Sequence, residues 1–196
     1  GVTVVYKQVD IAVLSSVTPL VAWALKEFGK LNGIVHCAGV LRDSLLVNKT
    51  VDEIAAVFAP KVAGTINLDR ATRDLDLDFM ILFGSGSSVL GNAAQTDYSA
   101  ANGFQTRFAT YRNRLVSRGE RKGRTLTISW PLWNDGGMVV RPEVKRRMAQ
   151  NGIVPLPTKE GFEALDRAYA TERDHLLILH GWPEQLGDLL VQARKS

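Results

Sequence analysis

Short apolar runs alternate along this chain with longer amphipathic stretches, and this alternation limits the fold more than any other feature of the sequence. The apolar runs read VTVVYKQV, GIVHCAG, DFMILFGS, TLTISW and HLLILHG, and their lengths are typical of strands. Near-continuous apolar strands indicate a parallel sheet that is covered on both faces. The pattern therefore predicts right-handed βαβ crossovers and an α/β, Rossmann-like, doubly wound parallel sheet.

Local signals predict where the intervening helices begin and end. Thr18 and Pro19 place an N-cap before a proline at the first helical position, and Gly29 predicts the end of that helix. The sequence TVDE is a capping box, which predicts a long helix that runs towards Asp69. Further helices are predicted over about 97–118 and over the segments PEVKRRMAQN and TKEGFEALDRAYAT.

Composition argues against several classes of function. The chain has one cysteine, Cys37, and three histidines, so neither an internal disulfide nor a metal site is expected. The sequence has no signal-peptide pattern and no apolar run of membrane-spanning length, which predicts a cytoplasmic protein without a membrane partner. The Arg- and Lys-rich segment 112–124 is either a solvated helix end or a docking surface for an acidic partner. Aromatic residues are not interleaved with these basic residues, which argues against nucleic acid.

The expected site lies where three predicted strands end. Ligands of open parallel sheets bind beyond the carboxyl ends of the strands, and HCAG, GSGSS and WPLWNDGG follow three of them. The middle segment carries Ser85 and leads to Tyr98, with Asn102 four residues after the tyrosine. Many nicotinamide-dependent reductases have a lysine at that last position. Here the candidate cation is Lys61, on the apolar face of the preceding helix, although a lysine stem that covers the core edge explains the same pattern.

Four ordered motifs, HCAGV, PKVAGTINL, LFGSGSSVLGNAAQTDYSAAN and ISWPLWNDGGM, resemble the ketoreductase domains of modular polyketide synthases. These domains form a branch of the short-chain dehydrogenase/reductases in which the lysine and asparagine exchange places, as Lys61 and Asn102 do here. The resemblance implies that Tyr98 protonates the ketone oxygen and that Ser85 hydrogen-bonds it. It also implies that Lys61 favours the phenolate and holds the nicotinamide ribose, while Asn102 positions a water molecule.

The same resemblance implies NADPH as the cofactor and an acyl carrier protein as the partner, with the β-ketoacyl chain bound to its phosphopantetheine arm. The implied cofactor-binding residues are Asp10, Ala38, Gly39, Lys61, Tyr98, Pro131 and Leu132. The residues implied to contact the substrate or to control stereochemistry are Asp43, Leu90, Gln95 and Met138, with a substrate-covering lid at about 134–157.

Three positions carry stereochemical markers of the family. Asp43 completes an L-x-D pattern that marks relatives forming a D-hydroxyl, although a solvated loop acid or a helix cap would explain it too. Leu90 stands eight residues before Tyr98, where the L-forming relatives have a tryptophan. Ala100 stands where a proline accompanies epimerisation of the α-carbon. The expected product is therefore a D-β-hydroxyacyl thioester whose α-carbon is unchanged.

The 196 residues contain no G-x-G-x-x-G motif, the usual backbone cradle for a pyrophosphate. By resemblance, the glycine-rich turn and the first two strands of the sheet lie upstream, so 1–196 is expected to be the C-terminal part of a ketoreductase catalytic domain. A split, a cleaved and a truncated domain are all compatible with this expectation. A stand-alone reductase of a small ketone and a non-catalytic, ketoreductase-like structural domain remain alternative functions.

Overall fold

The computed structural model describes residues 1–136, 138, 140 and 142–193, and within them four parallel strands form one sheet. The strands lie side by side in chain order: β1 (Gly33–His36), β2 (Phe79–Ser85), β3 (Arg124–Trp130) and β4 (His175–Leu177). The helices are α1 (Leu14–Phe28), α2 (Val51–Phe58), α3 (Gly64–Ala71), α4 (Ser87–Leu90), α5 (Thr96–Ser117), α6 (Pro142–Gln150), α7 (Thr158–Tyr169) and α8 (Pro183–Ala193). A 3₁₀ turn (Leu46–Asn48) precedes α2, and a π-helical turn (Ala59–Ala63) joins α2 to α3.

Apolar side chains cover both faces of the sheet. Met80 and Leu82 of β2 are buried in a cluster with Phe108 of α5. Ile81, between them in sequence, belongs to a different buried cluster with Ala164 of α7. Successive side chains of a strand point to opposite faces, so helices pack on both sides of the sheet. The prediction of an α/β fold with a covered parallel sheet is confirmed.

The strand β3 buries polar side chains on one of its faces. Thr125, Thr127 and Ser129 are all fully buried, whereas the alternate residues of TLTISW join an apolar cluster. These hydroxyl-bearing residues meet polar partners on α5: Thr127 Oγ1 donates to the carbonyl of Gln105 at 2.9 Å, and Asn113 Nδ2 donates to the carbonyl of Thr125 at 2.8 Å. Buried polar groups are stable only when they are hydrogen-bonded. This face therefore fixes the position of α5 against the sheet.

The helix that carries the candidate cation begins at the predicted capping box and changes its winding halfway. Thr50 Oγ1 accepts from the backbone of Glu53, and the Glu53 carboxylate accepts from the backbone of Thr50. Pro60 has no N–H and cannot bond to the residue four positions before it. Over this stretch the helix widens to a π turn, and the N–H of Gly64 bonds to the carbonyl of Ala59. The capping-box prediction is confirmed.

The predicted first strand is wrong. The segment VTVVYKQV has no regular secondary structure, and Val2, Val4 and Tyr6 are exposed. A strand is stable only when it pairs with a neighbour, and no described segment pairs with this one.

Three further elements differ from the sequence predictions. The first helix ends at Gly29 as predicted, but it begins at Leu14, so Pro19 lies inside it rather than at its first position. Its first bonds run from the N–H groups of Ser16 and Val17 to the carbonyl of Val13, ahead of the predicted cap. The helix α8 was not predicted, and β4 is shorter than HLLILHG.

Two basic residues of the segment 112–124 stabilise the fold rather than form a docking surface. Arg112 is fully buried and donates from Nε to Asp69 Oδ1 at 2.8 Å. Arg121 Nε contacts the same oxygen at 3.0 Å. The docking-surface interpretation is therefore wrong for these two side chains.

The described part of the chain has no helix that is long and apolar enough to cross a membrane. Within the same residues, no group of three or more His, Cys, Asp and Glu side chains is arranged to hold a metal ion.

Candidate active site

A turn of three serines orients the Ser85 hydroxyl at the carboxyl end of β2. Ser87 donates to Ser85 Oγ from its backbone N–H at 3.2 Å and from its hydroxyl at 3.0 Å. Ser88 instead donates to the backbone carbonyl of Ser85 at 2.7 Å. Because both bonds from Ser87 occupy the acceptor side of Ser85 Oγ, the Ser85 proton remains available for donation to a ligand.

Tyr98 lies in the first turn of α5 and packs in a buried apolar cluster with Val57 and Ala101. Burial raises the pKa of its phenol, while the side chains of Asn102 and Ser85 act on this pKa in the opposite direction. Burial is the largest of these effects, so Tyr98 carries its proton at neutral pH. A protonated phenol at the end of a strand is suited to donate a proton.

Asn102 has an amide oxygen with no partner. Its side chain is fully buried, and its Nδ2 donates to the backbone carbonyl of Tyr98 at 2.7 Å. Its Oδ1 is buried and accepts no hydrogen bond. A buried polar atom without a partner is costly, and it indicates a place for a water molecule or a ligand group.

Lys61 is held inside the molecule by uncharged acceptors. The π turn directs it inward, its residue is 2% exposed, and its Nζ donates to the carbonyl of Phe83 at 2.6 Å and to Gln105 Oε1 at 3.3 Å. Gln105 is itself fixed by a bond from its Nε2 to Thr65 Oγ1 at 3.1 Å. Burial lowers the pKa of the Lys61 ammonium to about 8. Neither of these two acceptors is a carboxylate, so the desolvated ammonium of Lys61 remains available to stabilise a ligand.

The segment after β1 approaches Lys61 closely. A Cβ atom added to Gly39 would lie 3.1 Å from Lys61 Cε and 3.6 Å from Nζ, so a side chain here would fill the space beside the ammonium. On the same side, His36 Nε2 donates to the carbonyl of Pro60 at 3.1 Å. Burial, assisted by the Lys61 charge, lowers the pKa of His36 to about 4, so this ring is neutral and Lys61 is the cation of the pair.

The ends of β1 and β2 thus contribute to one site. Burial raises the pKa of the Tyr98 phenol, and the side chains of Ser85 and Asn102 act to lower it by hydrogen bonding. Lys61 Nζ donates to the carbonyl of Phe83 in β2, two residues before Ser85. The narrow space beside Gly39 and the unpartnered oxygen of Asn102 fit a ligand that brings hydroxyl groups to Lys61. A nicotinamide ribose has that chemistry.

Comparison with known proteins identifies the family. The model of the KR domain family matches residues 1–135. The chain belongs to the ketoreductase-domain family.

Its relatives are polyketide synthases. The chain is 44% identical over 197 residues to polyketide synthase PksN of Bacillus subtilis strain 168, which covers 100% of this chain and 4% of that protein. It is 38% identical over 194 residues to PksL of the same strain, covering 98% of this chain and 4% of the relative. The chain therefore spans a small fraction of the length of these relatives.

A solved structure agrees. The crystal structure of a ketoreductase domain from the bacillaene assembly line superposes with a TM-score of 0.92 at 37% identity, over 95% of this chain and 45% of that one. The ketoreductase domain of a polyketide synthase, predicted from the motifs, is thus confirmed as the family.

Two of the residues predicted to control stereochemistry, Asp43 and Gln95, meet in one loop contact of this ketoreductase chain. Gln95 Nε2 donates to Asp43 Oδ2 at 3.0 Å, and the N–H of Ser44 donates to the carbonyl of Ala94 at 3.0 Å. Asp43 is therefore a hydrogen-bonded loop acid, joined to the segment before α5. Leu90 ends α4, which follows Ser85.

The remaining predicted cofactor-binding residues lie on three separate segments of the chain. Pro131 and Leu132 follow β3, and the carbonyl of Leu132 accepts from the N–H of Leu156 at 2.7 Å. Ala38, like Gly39, lies in the irregular segment after β1. Asp10 is exposed, and its carboxylate accepts from the N–H of Ala12 at 2.9 Å in the turn before α1. These contacts are all within the chain and do not test a role in cofactor binding, so the roles of these four residues stay predictions.

The predicted lid, 134–157, contains α6 and exposed Met138. Within it, 137, 139 and 141 lie outside the described residues. Asn134 N–H bonds to the carbonyl of Leu156 at 2.8 Å, so the two ends of the lid segment meet at one place.

Sequence reasoning missed two features of the site. The first is Gln105, which follows Tyr98 and Asn102 at helical spacing, and this polar stripe on an otherwise packed helix was a readable signal. The second is a buried ion pair between Lys49 and Asp97. Nothing in the local pattern indicates that pair, because its members lie on segments far apart in sequence.

Proposed function

We propose that this chain contributes the catalytic residues of an NADPH-dependent reduction. The substrate is a β-ketoacyl thioester on an acyl carrier protein, and the product is a D-β-hydroxyacyl thioester of polyketide biosynthesis. The observation that carries the proposal is the convergence of a polarised serine, a buried protonated tyrosine and a buried lysine at adjacent strand ends. Membership of the ketoreductase-domain family supports it.

The chemistry divides among the four residues. Bound NADPH supplies a hydride to the ketone carbon, and negative charge develops on the ketone oxygen. Tyr98 donates its proton to that oxygen, and its raised pKa keeps the proton in place beforehand. The Ser85 hydroxyl donates a hydrogen bond to the same oxygen as charge develops. Lys61 stabilises the resulting phenolate, and Asn102 Oδ1 accepts from a water that restores the proton.

The cofactor contacts follow the same arrangement. Lys61 and Tyr98 would hold the ribose and the nicotinamide, and Gly39 with Ala38 would permit close approach of the backbone beside Lys61. Pro131 and Leu132, after β3, would border the nicotinamide, and Asp10 would contact the adenine. Preference for NADPH over NADH is part of the proposal and rests on the resemblance alone.

The stereochemical outcome is assigned to the loop at Asp43. The loop is joined to α5 near Tyr98, so it decides on which side the phosphopantetheine arm of the carrier protein enters. Leu90 and Met138 border the substrate chain. Ala100 stands where a proline accompanies epimerisation in relatives, so we expect the α-carbon to remain unchanged.

Pyrophosphate binding is assigned to residues upstream of position 1. The described residues offer polar groups for the nicotinamide half of the cofactor, but the 196 residues contain no glycine-rich phosphate turn. We therefore expect this chain alone to bind NADPH poorly and to gain affinity when it is expressed with its upstream segment.

The test is reduction of a β-ketoacyl thioester, carried on an acyl carrier protein, by the chain with its upstream residues. We expect NADPH-dependent formation of the D-hydroxy product, resolved by chiral chromatography. A predominantly L-hydroxy product would contradict the stereochemical assignment. Reduction of a free small ketone but not of the carrier-bound thioester would favour a stand-alone reductase, and failure to bind NADPH even with the upstream residues would favour a structural domain.

A further inference from the structure

A buried ion pair connects the loop after β1 to the start of α5. Lys49 Nζ lies 2.8 Å from Asp97 Oδ2, and the two side chains are 0% and 3% exposed. The pair is an ionic contact rather than a well-directed hydrogen bond. In the sequence, Lys49 directly precedes Thr50, which caps α2, and Asp97 directly precedes Tyr98, the proposed proton donor.

Each member of the pair also forms a hydrogen bond with the backbone at or next to a proposed functional residue. Lys49 Nζ donates to the carbonyl of Arg42, the residue before Asp43. Asp97 Oδ1 accepts from the N–H of Tyr98 at 2.9 Å, in the first turn of α5, where a negative charge is favourable. One ammonium group therefore links the stereocontrol loop to the backbone of the catalytic tyrosine.

Fold stability does not by itself explain this pair. Two desolvated charges recover little more than the cost of their burial, and apolar residues of similar volume often stabilise a fold equally well. The other contacts between the loop and α5, from Gln95 to Asp43 and from Ser44 to Ala94, lie nearer to solvent. What the ion pair adds is a fixed position of the loop relative to Tyr98.

We propose that Lys49 and Asp97 are positioning residues for stereocontrol. Their ion pair holds Asp43 at a set distance from Tyr98, so that the acyl thioester enters from one side and one ketone face meets the hydride. This inference rests on the proposed β-ketoacyl reduction. It concerns the ratio of products rather than the existence of the reaction.

The test uses the chain with its upstream residues and the variants Lys49→Met, Asp97→Asn, the corresponding double variant and Lys49→Arg. Each is assayed with NADPH and a carrier-bound β-ketoacyl thioester for the D:L product ratio, for KM and kcat, and for Tm. Lys30→Met is the matched control, because Lys30 forms an exposed pair with Asp78 at 3.7 Å.

We expect either single neutralisation to lower Tm, because it leaves one buried charge without its partner. We also expect the D:L ratio to fall about tenfold and KM to rise, since contacts within one network are coupled. The double variant should recover most of the lost Tm but not the ratio, because it lacks both the uncompensated charge and the link to Arg42. Lys49→Arg should retain the ratio, and Lys30→Met should change neither quantity.

Two results would overturn the inference: single variants with the wild-type ratio, or a double variant that recovers the ratio together with Tm. Should the single variants fail to fold, the double variant decides, because it carries no unpaired buried charge. A wild-type chain that gives no product, or no excess of the D product, contradicts the proposed function instead, and the inference fails with it.

Discussion

Two buried cations at opposite ends of the sheet differ in how they are neutralised. Arg112, near the amino end of β3, bonds to the Asp69 carboxylate at 2.8 Å, to the carbonyls of Gly123 and Lys122 at 2.6 and 2.8 Å, and to Thr125 Oγ1 at 3.0 Å. Lys61, at the carboxyl end, bonds to one carbonyl and one amide oxygen.

The difference separates Arg112, a structural cation, from Lys61, the cation that we propose to act in the site. The donors of Arg112 are nearly all used, and its carboxylate partner offsets the cost of burial. Lys61 has lost its hydration without gaining an anion, which is why its pKa falls to about 8. Groups left in this condition are typical of functional sites, where a ligand completes their environment. The following predictions test this contrast, from the largest expected effect to the smallest.

Loss of the tyrosine hydroxyl should affect catalysis and leave the fold intact. In Tyr98→Phe the ring still packs against Val57 and Ala101, but the proton donor is gone. We expect kcat for β-ketoacyl reduction to fall by about 10²–10⁴-fold, with NADPH affinity and Tm nearly unchanged. Steady-state kinetics and a binding titration measure these quantities. Tyr111→Phe, on the exposed side of the same helix, is the control, and a Tyr98→Phe variant that keeps most of its kcat would refute the assignment.

Removal of the buried arginine should instead lower stability and leave catalysis nearly unchanged. Arg112→Met leaves Asp69 with Arg121 as its remaining partner and removes bonds to the turn before β3. We expect the free energy of unfolding to fall by about 3–5 kcal/mol, measured by urea denaturation, with little change in KM for the molecules that remain folded. Arg114→Met, an exposed substitution on α5, should change stability little. A large loss of NADPH affinity in folded Arg112→Met would contradict a purely structural role.

Removal of the buried lysine should weaken the cofactor but not the fold. Lys61→Met eliminates a desolvated charge, so we expect the free energy of unfolding to stay the same or to rise by roughly 1–3 kcal/mol. NADPH affinity should fall about ten- to a hundredfold, because the ribose loses a charged donor. Lys159→Met, at an exposed lysine, is the control. A Lys61→Met variant that is strongly destabilised would show that the lysine is a structural lock like Arg112.

The lowered pKa of Lys61 also predicts two opposite pH trends. Between pH 8 and its ordinary pKa of 10.5, the folded lysine is neutral while the unfolded one still binds a proton. The contribution of Lys61 to stability in the absence of cofactor should therefore rise with pH across this window. NADPH affinity should fall about tenfold between pH 7 and pH 9, because binding uses the charged form. Lys61→Met should flatten both trends, and a wild-type affinity that is constant over this range would contradict the role of the ammonium.

The sequence predicted those parts of the molecule whose determinants are local. The capping box at Thr50 and Glu53, the glycine end of α1 and the apolar run of β2 each set their element within a few residues. The spacing from Ser85 to Tyr98 likewise predicted residues that meet at one strand end, because a strand, a turn and a helix follow one another directly.

Features that depend on distant partners were missed. The segment 2–9 has the composition of a strand, but strand formation requires pairing, which composition does not encode. The ion pair of Lys49 and Asp97 joins two segments brought together only by the packing of α2 and α5. The helix α8 is a different case, since Pro183 and the leucines that follow at helical spacing were a readable start signal.

The π turn at Ala59–Ala63 determines where the helical arm between Thr50 and Ala71 can change its length without rotating its buried face. A π turn holds more residues than an α turn, so losing one residue there would allow regular winding to continue through the arm. Each residue turns an α-helix by about 100°. After such a deletion Val57 and Thr65 would stand seven residues apart in regular α-helix, within about 20° of the same face, so that both, now buried, could still face the interior. Removal of one residue from the π turn is therefore expected to disturb the buried face less than removal of one residue within α2 or α3, which would turn the following residues by about 100°.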